Sequence, residues 1–433
     1  MAELGVSGYT GYVLEMQGRV DAAVLARAVR LMMDAEPILG CRFVAAARKP
    51  HWRRRADLES ASHCRVVGSA TPLAAAEAQS LEPRDWERDP VFRVLVFREP
   101  QGADLLLFQV DHCVADGDGG LRVVAQTAAI YGRLLSDPGY RPASRDRYDW
   151  RFPLYGRLGW RERLRLLGHA LAEPWAQARM ARHPCRGFQA DPERFLDPKA
   201  RANPAYARLR LGGAELRSIR LAAAKHKAWL NDVLLAALLR AFAGLAPPAG
   251  DPDARWRALV FVNLRRYLPD EYSVPVCNLL SNHVLDLGVE LGGRFQDTLG
   301  KVGLENRKIH DPAYALRTQL LNSPLSKWIS LDMMRRLVRA AIRQNCRNGA
   351  PPSLSNLGMV DERDLRFGDV ETAGFHALGV PSPLPAIAVI GNGFRNGFTF
   401  TLAFYESEIE RARVEGFFAR MREELLSFAS ADG

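Results

Sequence analysis

The chain has 433 residues, of which 48% are hydrophobic and 25% charged, and its net charge is +10. This composition is typical of a globular protein with a substantial core, and the length predicts two or three domains. No apolar run approaches the ~20 residues that span a bilayer, and residues 1–11 lack the basic-then-apolar order of a secretory signal peptide. Six scattered cysteines without a Cys-x-x-Cys pair predict reduced thiols, with neither a zinc site nor a disulfide framework.

The first third of the chain predicts alternating strands and helices. Residues 12–18 are strand-like, and residues 20–33 predict a helix that Asp21 caps. Residues 91–97 predict a strand, and a Gln101-Gly102 turn joins it to the next strand in a hairpin.

The most informative stretch is LLLFQVDHCVADG at residues 105–117, where an apolar segment of strand length ends in His112. Imidazole titrates near neutrality, so it can take a proton from a hydroxyl or an amine. Asp116 could act as a base, orient the imidazole or pair with a cation, and Gly117 permits a tight bend. The alternative is a neutral histidine that is hydrogen-bonded at the end of a strand.

Residues 140–204 differ in composition, being rich in Arg, Trp, Tyr and Pro. Between residues 141 and 186 there are 11 arginines and four acidic residues, so this segment carries 11 − 4 = +7 of the net charge. A helix in this segment places apolar residues on one stripe: Trp160, Leu164, Leu167, Leu171, Trp175 and Ala178. We expect the stripe to pack on the protein, as most amphipathic helices do. The alternative is that it binds an anionic membrane surface.

A second lobe of strands and helices begins near residue 207. Its Asn231 is expected to cap an apolar helix. Residues 331–343 predict another basic amphipathic helix, with the same two alternatives as the first. The other predicted elements are a buried strand at 258–266, a short strand at 353–358, a strand at 398–405 and a terminal helix at 410–429.

Four short motifs, in their order along the chain, resemble the CoA-dependent acyltransferase superfamily. That superfamily includes nonribosomal peptide condensation domains, chloramphenicol acetyltransferase, polyketide-associated acyltransferases and wax ester synthase/diacylglycerol acyltransferases. The motifs are HCVADG at 112–117, NDVLLAA at 231–237, VNLR at 262–265 and SNLG at 355–358. The resemblance covers residues 12–428.

The resemblance implies an α/β, chloramphenicol acetyltransferase-like fold. Each of its two lobes is a mixed sheet flanked by helices, and a substrate tunnel runs between the lobes. We expect an N-terminal lobe carrying the HxxxDG motif at 1–145, a basic Arg/Trp-rich crossover at 146–205 and a C-terminal lobe at 206–433.

The resemblance also implies the roles of the motif residues. His112 would be the general base that deprotonates the acceptor, and Asp116 and Gly117 complete its motif. Asp116 would turn away from the substrate and pair with an arginine, for which Arg265 is the candidate. Losing one partner of such a buried pair would cost about 3–5 kcal/mol.

Four further residues are candidates for substrate or oxyanion contact. Ser355 or Asn356 could donate a hydrogen bond to the developing oxyanion; the alternative is a turn-forming hydrogen bond to the backbone. Asn278 stands where the family often has Gly-Asn, although a cysteine replaces the glycine here. Asp111 replaces the first histidine of the family's usual His-His pair. It either raises the basicity of the base, binds a cationic acceptor or pairs with a neighbouring arginine.

The expected function is acyl transfer from a CoA or carrier-protein thioester to a hydroxyl or amine, forming an ester or an amide. The acceptor would be a lipid or a secondary metabolite, and no metal or prosthetic group is needed. We expect a cytoplasmic monomer, at the inner face of the membrane if the basic helices bind lipid, and no nucleic-acid partner. The alternative is a non-catalytic condensation-like domain that recruits a carrier protein or another partner. The intact His112 and Gly117 favour the enzyme.

Overall fold

The computed structural model describes residues 8–44, 51–59, 63–85, 88–145, 158–248, 250–268, 274–317 and 330–431. Within these ranges the chain forms ten α-helices and thirteen strands. The helices are α1 (Ala22–Ala35), α2 (Pro72–Leu81), α3 (Gly117–Ser136), α4 (Trp160–Ala181), α5 (Pro192–Leu196), α6 (Gly213–Lys225), α7 (Leu230–Leu245), α8 (Phe295–Ile309), α9 (Leu331–Asn348) and α10 (Arg411–Ser430). The strands are β1 (Tyr9–Met16), β2 (Cys41–Val44), β3 (His51–Arg54), β4 (Cys64–Gly68), β5 (Phe92–Arg98), β6 (Asp104–Asp111), β7 (Pro204–Leu211), β8 (Trp256–Asn263), β9 (Leu280–Gly288), β10 (Ser353–Val360), β11 (Thr372–Leu378), β12 (Ala388–Phe394) and β13 (Gly397–Tyr405).

Two mixed sheets flanked by helices form the frame of the molecule. The first has the order β11-β1-β6-β5-β4 and the second the order β7-β13-β12-β10-β8-β9. In the first sheet β4 and β5 are parallel neighbours and the other described pairs are antiparallel, and in the second β10 is parallel to both β12 and β8. The predicted fold class, two lobes that each hold a mixed sheet, is confirmed.

Strand β6 lies in the middle of the first sheet and is buried on both faces, which explains its nearly continuous apolar sequence. Leu106 and Phe108 face a core shared with α1 and α3, whereas Leu105 and Leu107 face the side of α2. The predicted β5–β6 hairpin is confirmed by an antiparallel register that pairs Phe97 with Leu105.

The predicted start of α1 is also confirmed, because the Asp21 carboxylate accepts hydrogen bonds from the first turn of the helix. In the second lobe, α7 is apolar nearly all round and is buried in the main core of that lobe. Among the described residues no single helix has the length and apolarity needed to cross a membrane. The bent pair α6 and α7, 106° apart, meets that test only when the two helices are taken together.

The lobes are not two consecutive segments of the chain. Strand β11 follows β10 of the second sheet but pairs with β1 at the edge of the first sheet, where Leu14 is opposite Phe375. The expected boundary that assigns all of 206–433 to the C-terminal lobe is corrected accordingly. Residues 146–157 of the predicted crossover lie outside the described residues.

The expectation that the tryptophan stripe of α4 packs on the protein is wrong. Trp160 and Trp175 are 68% and 80% exposed, and the leucines between them on the stripe are exposed as well. The helix packs instead through the opposite face, where Leu166, Ala170 and Glu173 are buried.

Candidate active site between the lobes

A short loop, residues 112–116, joins the end of β6 to the start of α3 and carries His112. An aspartate side chain closes each end of this loop. The Asp111 carboxylate accepts a hydrogen bond from Cys113 N at 2.6 Å, and the Asp116 carboxylate caps α3 by accepting one from Gly119 N at 2.7 Å. Because both ends of the loop are tied locally, the backbone that carries the imidazole is fixed on both sides.

The structure places Asp116 against Arg265 of the second lobe. Arg265 Nη1 lies 3.0 and 2.9 Å from the two Asp116 oxygens, and Leu279 N donates to Asp116 Oδ2 at 2.7 Å. Arg265 is fully buried, and its Nη2 also donates to the Cys277 carbonyl at 2.7 Å. Burial acts to lower the pKa of the Arg265 guanidinium, but the charge and hydrogen bonds of Asp116 outweigh it and raise that pKa. The guanidinium therefore stays charged. Its pairing with Asp116 joins the two lobes directly behind the loop.

Asp111 does not face a substrate. Its side chain is fully buried and forms an ion pair with Arg84, which is itself almost fully buried. Of the three alternatives for Asp111, the geometry therefore favours the pair with a neighbouring arginine. The expectation of a substrate contact is corrected, because a fully buried carboxylate that is already bound to a guanidinium cannot reach a bound acceptor.

Asn278 belongs to a segment of the second lobe that crosses the loop. Its Nδ2 donates to the carbonyl oxygens of His112 and Cys113 at 2.9 and 3.2 Å. Two residues earlier, Val276 N donates to the buried Glu36 carboxylate at 3.0 Å. Asn278 was a candidate for substrate contact, and the structure shows that its amide holds the backbone of the base.

Gly117 lies where a side chain has little room. It does not have the left-handed backbone that demands glycine. A Cβ at this position would lie 2.5 Å from Leu357 Cδ2, so the missing side chain lets strand β10 approach the start of α3. Behind this turn the buried Tyr12 hydroxyl donates to the Gly117 carbonyl at 2.9 Å.

The Ser-Asn pair of β10 divides into two roles. Asn356 Oδ1 accepts from Gly358 N at 2.8 Å, and Asn356 Nδ2 donates to Asn231 Oδ1 at 3.0 Å. Gly358 has φ of +74° and lies in an irregular register between β10 and β12, so this amide holds a bulge that only glycine adopts readily. The turn-forming alternative thus holds for Asn356, while Ser355 is half-buried at the same end of the strand.

Asn231 is not the cap that its position suggested. Helix α7 begins one residue earlier, after Trp229, and among the described residues no side chain caps it. The Asn231 amide is instead engaged with Asn356, as described above, which ties the start of α7 to the bulge of β10.

His112 itself is exposed at the boundary between the lobes, and its backbone N–H donates to the Gly8 carbonyl at 3.3 Å. The neighbouring Cys113 is half-buried, and burial raises the pKa of its thiol, although Arg84 acts in the opposite direction. A thiol that stays protonated is a poor nucleophile. The side chain of the pair that suits proton transfer is therefore the imidazole.

Two supporting residues, Arg84 and Glu36, were not predicted from the sequence. Arg84 lies in a polar stretch that gives no local sign of burial, and Glu36 directly follows a helix, where an acidic residue is usually solvated. One sequence signal was available, the run Glu36-Pro37-Ile38-Leu39. This run leads into a 3₁₀ turn at Pro37–Gly40, and Glu36 accepts from Val276 N in the second-lobe segment that also carries Asn278.

Comparisons with known proteins agree on the fold. No family model matches the chain, and no curated protein sequence matches it. Solved structures match over nearly its whole length. The first condensation domain of the calcium-dependent antibiotic synthetase, in complex with a substrate analogue, is 17% identical with a TM-score of 0.69, covering 99% of this chain and 92% of that chain.

Two further solved structures that are similar to this chain are not condensation domains of a peptide synthetase. Trichothecene 15-O-acetyltransferase from Fusarium sporotrichioides is 13% identical with a TM-score of 0.71, covering 98% of this chain and 92% of that one. Polyketide synthase associated protein 5 from Mycobacterium tuberculosis is 15% identical with a TM-score of 0.64, covering 98% and 95%. At these identities the likeness shows the fold. The chain has the fold of these condensation domains and acetyltransferases, and the fold that the resemblance implies is confirmed.

Proposed function

We propose that the chain is an acyltransferase in which His112 is the general base. The observation that carries this proposal is an exposed imidazole on a loop that is fixed at both ends by buried aspartates and from the second lobe by Asn278. Such support is what a positioned proton acceptor requires.

In the proposed reaction, an acceptor hydroxyl or amine lies beside His112 and attacks the carbonyl carbon of an acyl thioester. The imidazole takes the acceptor's proton as the new C–O or C–N bond forms. The tetrahedral oxyanion then collapses, the C–S bond breaks, and the imidazolium returns the proton to the departing thiolate. The products are an ester or amide and a free thiol.

Ser355 is the proposed donor to the oxyanion, because Asn356 is engaged with the β10 bulge. A single such donor is typically worth about 10²–10³ in rate. Asp116 acts through the loop and not on the substrate, since its oxygens are held by Arg265, Gly119 N and Leu279 N. It is a positioning residue.

We further propose that donor and acceptor approach His112 from opposite sides of the boundary between the lobes, through the tunnel that the resemblance implies. The donor is an acyl-CoA or an acyl carrier protein. The position of His112 between segments of both lobes supports this arrangement.

The test is transfer of an isotope-labelled acyl group. The protein is incubated with labelled acyl-CoAs of short to long chain, or with acyl-loaded carrier protein, together with a lipid and small-molecule extract. Mass spectrometry then searches for products heavier by the labelled acyl group. The proposal expects such a product from wild type and from His226→Ala, which removes another exposed histidine, but not from His112→Ala.

If labelled product forms equally with His112→Ala, the general-base assignment is wrong. If neither donor class gives product with wild type, the enzyme proposal fails, and the non-catalytic condensation-like domain takes its place.

A further inference from the structure

Helix α4 turns a continuous apolar stripe away from the protein. The stripe consists of two tryptophans and three leucines, all exposed: Trp160, Leu164, Leu167, Leu171 and Trp175. At 100° per residue these positions fall within a sector of about 80° on one side of the helix. Soluble surfaces carry single exposed apolar residues routinely, but a contiguous stripe of this kind marks an interaction site.

The orientation of α4 is fixed by its opposite face. Glu173 accepts from Arg317 Nε at 2.6 Å, and Arg317 Nη1 lies 2.7 Å from His283 Nδ1; all three groups are buried. Burial lowers the pKa of His283 to about 3, so this histidine stays neutral beside the guanidinium. Leu166 and Ala170 pack on the same face. Turning the stripe inward would leave Arg317 buried and unpaired, which is strongly unfavourable.

Arginines border the stripe on both sides. On the helical wheel, Arg161 and Arg179 lie on one border and Arg163 on the other, and all three are exposed. The two glutamates of α4 lie away from the stripe. Glu162 is on the opposite side of the helical wheel, where it accepts from Gly159 N, and Glu173 is the buried partner of Arg317.

Helix α9, next to α4, also has exposed apolar residues and several arginines. Met333 and Leu337 are exposed, while Ile342 and Cys346 on the other side of the helix are buried. The helix holds five arginines and one acidic residue. Its C-terminus adjoins that of α4, since Asn348 Nδ2 donates to the Ala181 carbonyl at 3.4 Å.

We propose that α4 is an interfacial helix that docks the protein on an anionic lipid bilayer. The tryptophans and leucines enter the boundary between headgroups and acyl chains, and the arginines, with those of α9, bind the lipid phosphates. The positive charge of these arginines complements the negative charge of the lipid headgroups, which favours an anionic bilayer as the partner of the stripe. A second copy of the chain would bring the arginine borders of both stripes together, and that repulsion disfavours self-association.

The docking goes beyond the proposed acyl transfer and does not require it. It does indicate that a membrane-held amphiphile is the acceptor, and this consequence rests on the proposed function. The two are tested separately, because docking is measured without any acyl donor.

The experiment is flotation of the full chain with vesicles of phosphatidylglycerol and phosphatidylcholine, compared with vesicles of phosphatidylcholine alone. Wild type is expected to float with the mixed vesicles only, and less so as salt is raised. Trp160→Ser with Trp175→Ser is expected to lose at least tenfold in partitioning. Leu221→Ser, at an exposed leucine of α6, is the matched control and keeps wild-type binding.

A second variant tests the charges. Arg161→Gln with Arg179→Gln is expected to weaken binding to the mixed vesicles roughly fivefold for each arginine removed. Because all four substituted side chains are exposed, circular dichroism should show wild-type folding for both variants.

Three outcomes overturn the proposal. One is no flotation of wild type with the mixed vesicles. Another is flotation that the tryptophan variant retains in full. The third is a wild-type dimer in light scattering that the tryptophan variant converts to a monomer, with no vesicle binding by either, which assigns the stripe to a second copy of the chain.

Discussion

Polar side chains from both lobes hold the loop that carries His112 in place. Asp111 accepts a backbone N–H of the loop, Asp116 accepts one from the first turn of α3, and each of them pairs with an arginine. Asn278 adds two donors from the second lobe. The site is therefore one exposed imidazole on a loop that two buried aspartate–arginine pairs hold in place.

The Asp116–Arg265 pair is expected to behave as one unit in stability. Asp116→Ala leaves the fully buried Arg265 without its counter-charge and should lower the free energy of unfolding by about 3–5 kcal/mol. Arg265→Ala should cost a similar amount, and the double variant much less than the sum. Denaturant unfolding of the four proteins gives the coupling.

The exposed Asp361–Arg363 pair is the matched control, with 2.6 Å between Arg363 Nη2 and Asp361 Oδ2. Water screens this pair, so the coupling between alanine substitutions at its two residues should be close to zero. Additive losses for the Asp116 and Arg265 substitutions would contradict the proposed unit.

Asn278→Ala is expected to lower kcat more than it lowers stability. The side chain is exposed, so little packing is lost, but the carbonyls of His112 and Cys113 lose their donor and the loop is freer to move. Asn278→Asp should be worse than alanine, because a carboxylate repels those carbonyl oxygens. Steady-state rates and thermal melts on the same preparations separate the two effects. Equal kcat for all three proteins would remove Asn278 from the positioning role.

Part of this site could be predicted from sequence. The pairing of Asp116 with Arg265 was anticipated because both residues fall in short motifs whose order is recognisable. The partners Arg84 and Glu36 could not be, because nothing in their local sequence signals burial and their contacts depend on how distant segments pack. The role of Asn278 was missed for the same reason: its amide contacts backbone carbonyls, which leave no trace in residue identity.

At the scale of elements, helix α3 shows how close packing selects residues. A Cβ on Gly120 would overlap the Tyr12 phenol, which itself donates to Gly117 O. A Cβ on Gly132 of the same helix would meet no atom of the described residues within 4 Å. The sequence pattern predicts both as helical and cannot tell these two glycines apart.

Gly120→Ala is therefore expected to destabilise the protein by about 1–3 kcal/mol through overpacking. Gly132→Ala should stabilise it by up to about 1 kcal/mol, because alanine is the better helix former. Thermal unfolding of both variants checks this difference in sign. A shift of the same sign for both would show that α3 does not pack on Tyr12 as described.

Helix α4 is where pattern and packing disagree most. Its amphipathic sequence correctly predicted a helix, and base rates favoured burial of the apolar stripe. A buried ion pair between Glu173 and Arg317 holds the opposite face of the helix against the protein. Hydrophobic periodicity carries no information about such a pair.

The two lobes depend on each other, because β11 follows a strand of the second sheet in the chain but pairs with β1 of the first sheet. The lobe division read from the sequence was right in having two lobes and wrong in treating them as consecutive. Hydrophobic alternation identifies a strand, but it does not say which sheet that strand joins.

A fragment of residues 1–205 is consequently expected not to fold alone. It lacks β11, so the buried strand β1 becomes a bare sheet edge, which favours aggregation. Solubility and cooperative thermal unfolding of the fragment, compared with the full chain, measure this. A soluble fragment with a sharp transition would show that the lobes are independent after all.

The most direct measurement for the central claim is the initial rate of thiol release from an acyl thioester by wild type and by His112→Ala, paired with thermal melts of both. The variant is expected to lose nearly all of the release while keeping its melting temperature, because the imidazole is exposed and no buried pair depends on it among the described residues. Release at the wild-type rate would contradict the role of His112 as base. A large fall in melting temperature would make His112 a structural residue.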